Sequence, residues 1–119
     1  METMFVTITG ANHHYGLKPF KVGNIVKLVK DKQNGYDSEA VEVIMPYIST
    51  VGYVANSPNT TFQGTFSAGR LYDRIGEYAY ARIMFVTHSS AIALVLTPEV
   101  NAVCDKMFDY GDDEEAVCF

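Results

Sequence analysis

Residues 24–45 read Asn-Ile-Val-Lys-Leu-Val-Lys-Asp-Lys-Gln-Asn-Gly-Tyr-Asp-Ser-Glu-Ala-Val-Glu-Val-Ile-Met. At the start of this stretch Val26 and Leu28 share one face while Lys27 takes the other. That period of two predicts a half-buried strand over 24–30. At its end Val41 and Val43 alternate with Glu42, which predicts a second strand over 40–45. Between them Gln33-Asn34-Gly35-Tyr36-Asp37 carries a turn signal, because Asn and Gly accept positive φ at little cost. Two alternating strands joined by a turn predict a hairpin, and with it a mainly β domain.

The same pattern extends in both directions. Upstream, residues 4–9 place Val6 and Ile8 on one face and Thr7 and Thr9 on the other, a half-buried strand stopped by Gly10. Residues 11–23 read as a loop, with His13, His14 and Tyr15 among the breakers Gly16, Pro19 and Gly23. Downstream, Pro46 ends the 40–45 strand and Thr50–Ala55 reads as another, followed by the polar, irregular stretch 56–64. Ser67 to Ile75 is predicted helical. Ser67 is a good cap, Ala68, Leu71, Tyr72 and Ile75 line one face, and Gly76 is placed to end the helix. Residues 79–88 and 91–98 are apolar runs joined by Ser89-Ser90, a hairpin expected to be covered on both faces. Six short strands with one or two short helices predict a small β-barrel capped by the Ser67 helix.

The 119 residues suffice for one domain, with 48% hydrophobic and 19% charged residues, which excludes a disordered chain. No apolar run approaches the ~20 residues of a membrane span, and the start lacks a secretory pattern, so a soluble, cytoplasmic protein is expected. The net charge of −5 is segregated. From Asp105 onward six acids face Lys106 alone, whereas residues 1–104 carry eight acids and eight bases. A barrel over residues 1–100 and an acidic tail over 101–119, solvated over Asp109–Glu115, are therefore expected. Residues 1–36 hold five lysines against Glu2 and Asp31. That suits a site for a few phosphates and not a long polyanion track. Cys104 and Cys118 form no CxxC or zinc pattern and are expected outside the core, as reduced thiols.

Catalytic signatures are missing. There is no GxSxG, no Walker or Rossmann glycine pattern, and both cysteines neighbour acids that oppose thiolate formation. His13 and His14 are adjacent and His88 is distant, so neither a metal nor another cofactor is expected. Two constellations suit binding. The Asn34–Asp37 turn is open to two readings. In one, Asn34 and Asp37 bond local amides with Tyr36 on the core edge. In the other, Tyr36 offers a face to a base and Asp37 an acceptor to a hydroxyl, beside nearby lysines. The stretch Gly64-Thr65-Phe66-Ser67-Ala68-Gly69-Arg70 is equally double. Ser67 is either a plain cap, or it opens a helix start whose amides and Arg70 meet a phosphate.

The order Thr9-Gly10, His14-Tyr15-Gly16, Val26 to Asp31, Asn34-Gly35-Tyr36-Asp37, Ala40-Val41-Glu42-Val43 and Val51-Gly52-Tyr53-Val54 resembles the HIRAN domain. The motif match runs over about residues 4–55, and the element order extends it to 98. The resemblance implies an OB-like β-barrel that, in DNA-repair translocases, grips the 3′ end of single-stranded DNA. It implies that Tyr36 stacks on the terminal base and Asp37 accepts from the 3′-hydroxyl. Asn34 would brace the turn, Lys30 would lie by the phosphates, and the His13-His14-Tyr15 loop and the Gly52-Tyr53 strand would complete the surface. Two stretches depart from the pattern. Gly35 replaces the proline of an Asn-Pro-Tyr-Asp turn, and Asn12-His13-His14 replaces an arginine and two tyrosines. A non-enzymatic module for a single-stranded DNA end or a nucleotide is the leading expectation, with homo-oligomerisation open. The alternatives are capture of a small, even cyclic, nucleotide signal, and a protein-interaction adaptor that uses the acidic tail.

Overall fold

Six antiparallel strands close on themselves in the computed structural model, which describes residues 3–35, 39–46 and 48–109. In chain order they are β1 (Phe5–Thr9), β2 (Ile25–Lys30), β3 (Val41–Met45), β4 (Ser49–Val54), β5 (Tyr78–Val86) and β6 (Ala91–Val95). Helix α1 (Ala68–Tyr72) lies between β4 and β5, and helix α2 (Asn101–Asp109) follows β6. Around the barrel the order is β1-β4-β3-β2-β5-β6, and β1 pairs with both β4 and β6 to close it. Closure gives each strand a neighbour on both sides, which a small open sheet cannot do.

The alternation sets the register. Leu28 stands opposite Val43 on β3 and Ala79 on β5, and Val26 opposite Ala81. Val6, Ile8, Val26, Leu28, Val41, Val43 and Val51 are all buried, and Ala79, Ala81, Ala91 and Ala93 supply small partners in the same core. Each fully buried Val, Leu or Ile contributes about 1.5–3 kcal/mol, so this interior is the main source of stability. Gly52 permits the closing contact. A Cβ there would meet the Thr9 carbonyl oxygen at 2.8 Å.

Helix α1 caps the barrel with Ala68 and Leu71 fully buried, and Tyr72 and Ile75 pack against the core as the spacing predicts. The helix ends at Tyr72, three residues before Ile75. Three expectations about burial differ from the structure. Thr7 is buried, not on a free face, because its Oγ1 lies 2.9 Å from Thr65 Oγ1 and accepts from the Phe62 amide. Phe85 and Val86, at the end of β5, are exposed, so that hairpin is not covered on both faces. Cys104 is buried. Residues 101–109, where the sequence periodicity fades, form α2, which docks on the barrel, and the stretch expected to be solvated lies outside the described residues from residue 110 on.

The docking face of α2 explains its weak signal. Asn101, Cys104, Asp105 and Phe108 fall at helical spacing, and two of the four are polar. Asp105 accepts from the Tyr80 hydroxyl at 2.5 Å and the Tyr78 hydroxyl at 3.1 Å, while the Phe108 ring lies 5.3 Å from that of Tyr80. Residues 110–119, with Cys118, lie outside the described residues. No helix of the described residues is long and apolar enough to cross a membrane.

Candidate nucleic-acid interface

A pocket of about 280 Å³ opens where β1, β4 and the turn after β2 meet. Thr9 and Tyr53, register partners on β1 and β4, line it together with Asn34, Ala40, Asn56 and Ser57. The wall is organised by Asp31, the residue after β2. Its amide donates to the Ala40 carbonyl, Oδ1 accepts from the Gln33 amide, and Oδ2 accepts from the Tyr53 hydroxyl at 3.1 Å. The Asn34 amide returns to the Asp31 carbonyl. One carboxylate thereby fixes both the turn and the phenol. Burial, and then the bond to Asp31, raise the Tyr53 phenol above its ordinary range, so it is a neutral donor at physiological pH.

The loop after β1 forms the rim. Gly10, at φ 78°, turns the chain into a short 3-10 turn (Ala11–His13), and the Ala11 carbonyl then accepts from the amides of His14 and Gly16. The exposed His14 ring sits 6.4 Å from that of Tyr53, tilted by 37°. Tyr15 is 55% exposed and its hydroxyl reaches the Ile48 carbonyl at 3.4 Å. The His13 side chain, Tyr36 and Asp37 lie outside the described residues.

Asn34 and Tyr53 both line the pocket, and His14 stands beside Tyr53 without lining it. Lys30, Ser67, Arg70 and Tyr15 do not line the pocket. Lys30 Nζ sits 4.4 Å over the Tyr72 ring, and Arg70 stacks 4.1 Å over Phe66. Lys32 pairs with Glu77 at 2.6 Å on the surface, which raises its own pKa and lowers that of Glu77. The start of α1 differs from the phosphate-binding reading, in which its amides stay accessible. The Ala68 amide donates to the Ala55 carbonyl, Gly69 to Asn56 Oδ1 at 2.8 Å, and Arg70 to Ser67 Oγ. A carboxylate already stands there too, for a Cβ on Gly69 would meet Glu39 Oε1 at 2.7 Å. Ser67 is a cap in this five-residue helix.

Thr9, Asp31, Asn56, Ser57 and Thr60 complete the site, and sequence patterns give none of them a role there. The one signal for the last three is the polar stretch after Ala55, whose path no periodicity predicts. Among the described residues no cluster of His, Cys, Asp or Glu could hold a metal ion.

A closed antiparallel barrel with a pocket lined by Thr, Asn, Ser and Tyr side chains beside an Asx-type turn defines the class as a small antiparallel β-barrel domain. The chain belongs to the HIRAN domain family, whose profile matches residues 1–90. Two solved structures share the fold. A protein from Lactobacillus plantarum is 20% identical, with a TM-score of 0.55 over 79% of this chain and 93% of its own. The HIRAN domain of human HLTF is 14% identical, with a TM-score of 0.56 over 92% of this chain and 88% of its own. No curated protein matches the sequence.

Proposed function

We propose that this chain is a DNA-binding module of the HIRAN type, and that its pocket takes the 3′ end of a single strand. Membership of the family supports DNA binding as the activity class. One observation carries the choice of pocket. Asn34 and Ala40, on either side of Tyr36 and Asp37 in the chain, both line the cavity together with Thr9 and Tyr53. In this reading Tyr36 stacks on the terminal base, Asp37 accepts from the 3′-hydroxyl, and the Asn34, Asn56 and Ser57 side chains meet the sugar and base edges. The exposed His14 ring offers a second aromatic face.

The test compares fluorescent oligonucleotides ending in a 3′-hydroxyl or a 3′-phosphate at low salt, read by anisotropy. The hydroxyl end binds more tightly, and Tyr36→Ala and Asp37→Ala each weaken it by about one to two powers of ten. Equal affinity for the two ends overturns end recognition. Negligible binding of every strand overturns the DNA-binding reading itself.

A further inference from the structure

Resting on that reading of the pocket, we propose a second subsite. The strand leaving the pocket passes over Tyr15 into the groove beside Lys18 and Lys21, where its internal phosphates are held. The groove, about 550 Å³, lies between the loop before β2, the β3–β4 bend and α2.

Two side-chain contacts link the pocket to the groove. Tyr53 lines the pocket, His14 stands 6.4 Å from it, and the neighbouring Tyr15 presents an exposed ring. The Tyr15 hydroxyl is bonded to the Ile48 carbonyl, and Ile48 lines the groove. Aromatic faces spaced along such a path suit successive bases of any sequence.

The groove has the chemistry of a strand site. Ile25, Met45, Ile48 and Met107 give it an apolar floor, and Lys18 and Lys21 stand exposed at its rim. The other three lysines before Tyr36 are engaged. Lys27 lies over Tyr78, Lys30 over Tyr72, and Lys32 is paired with Glu77. Lys18 and Lys21 make no ion pair among the described residues. Their loop is set in advance of binding. Phe20, between them, is buried in the core, and the amides of Phe20, Lys21 and Asn24 donate to the carbonyls of Leu17, Pro19 and Lys21. The backbone carrying the two cations needs no further ordering to meet phosphates, so the cost left is that of the lysine side chains. Met107 belongs to α2, beyond the residues that the family profile matches, so this wall of the groove comes from the C-terminal extension.

The experiment uses the full chain and the Lys18→Ala/Lys21→Ala variant with a 3′-hydroxyl dinucleotide and a 3′-hydroxyl decanucleotide. Wild type binds the decanucleotide more tightly. The variant binds the dinucleotide as wild type does but loses about tenfold on the decanucleotide, and its salt slope falls by about 1.4, the value for two single-strand phosphate contacts. A 3′-phosphate decanucleotide separates the two proposals. If it binds as well as the hydroxyl form, and the lysine-dependent gain persists, end recognition fails and the groove stands. An unchanged decanucleotide affinity and salt slope in the variant overturn the groove. So does a variant that loses binding to polyglutamate alone, which marks a site for acidic peptides. Absence of binding at either length overturns both proposals.

Discussion

The Tyr80 hydroxyl donates to Asp105 Oδ1 at 2.5 Å, joining the middle of a barrel strand to a helix that follows the last strand. Tyr80 is fully buried, so its hydroxyl has no water to fall back on if that acceptor goes. Tyr78 shares the same carboxylate, and Lys27 Nζ lies 4.5 Å over the Tyr78 ring. The attachment of α2 is therefore polar and aromatic, and it depends on one acid.

Asp105→Ala is expected to destabilise the protein by about 2–3 kcal/mol, because it leaves a buried phenol unsatisfied, whereas Asp105→Asn keeps an acceptor and costs about 1 kcal/mol. Urea denaturation measures both. Burial, and then the neighbouring Asp105, push the Cys104 thiol up, with Arg82 opposing. Native Cys104 therefore alkylates slowly, and Asp105→Ala speeds the reaction by releasing α2.

Alkaline pH acts on the same contact. Burial, and then Asp105, raise the Tyr80 phenol well above its ordinary 10.0. A raised value means the folded state favours the protonated phenol. The stabilisation is fully present below pH 10.0 and is lost as pH rises through the folded value. Denaturation midpoints measured across alkaline pH are expected to fall above that point, and the fall is shallower in Tyr80→Phe. Ultraviolet absorbance reports the same group as a phenolate that forms late.

Two glycines in tight surroundings are expected to behave differently. At Gly52 an added Cβ meets the Thr9 backbone, which cannot move without opening the β1–β4 closure. Gly52→Ala therefore costs about 2–3 kcal/mol. At Gly69 the nearest atom is the end of the flexible Glu39 side chain, and alanine gains up to ~1 kcal/mol of helix propensity. Gly69→Ala is close to neutral by thermal denaturation.

Asn56 couples the pocket to α1, since it lines the cavity and caps the Gly69 amide. Asn56→Ala is expected to cost about 1 kcal/mol, while Asn56→Asp keeps the acceptor but sets a second carboxylate near Glu39 and so recovers only part of that. Calorimetry on the two variants checks the difference.

Most of the barrel is legible in the sequence because each strand buries alternate side chains. Val26 and Leu28 against Val41 and Val43 define the central hairpin by their spacing alone. Ser67 marks the start of α1 for the same local reason. The docking of α2 is not legible, because its inward face carries Asn101 and Asp105 and so shows no apolar stripe. Thr7 misleads in the opposite sense. It is polar at an alternating position, yet Thr65 and the Phe62 amide cover it from far along the chain. In the site, Asn34 and Tyr53 come from turn chemistry and the family motif. Asn56, Ser57 and Thr60 become neighbours of Tyr53 only through a loop path that local rules do not fix. The occupied amides of α1 are equally hidden, since their acceptors, Ala55 and Asn56, belong to another segment.

The pairing of β1 with β6 gives every strand of the described residues a neighbour on both sides. Recruitment of a partner peptide by strand addition, and growth of copies into a continuous sheet, are thereby disfavoured for the barrel. A companion of the described residues has side chains to meet instead: the loop tips, the cation-rimmed groove, or the solvent-facing Phe85 and Val86.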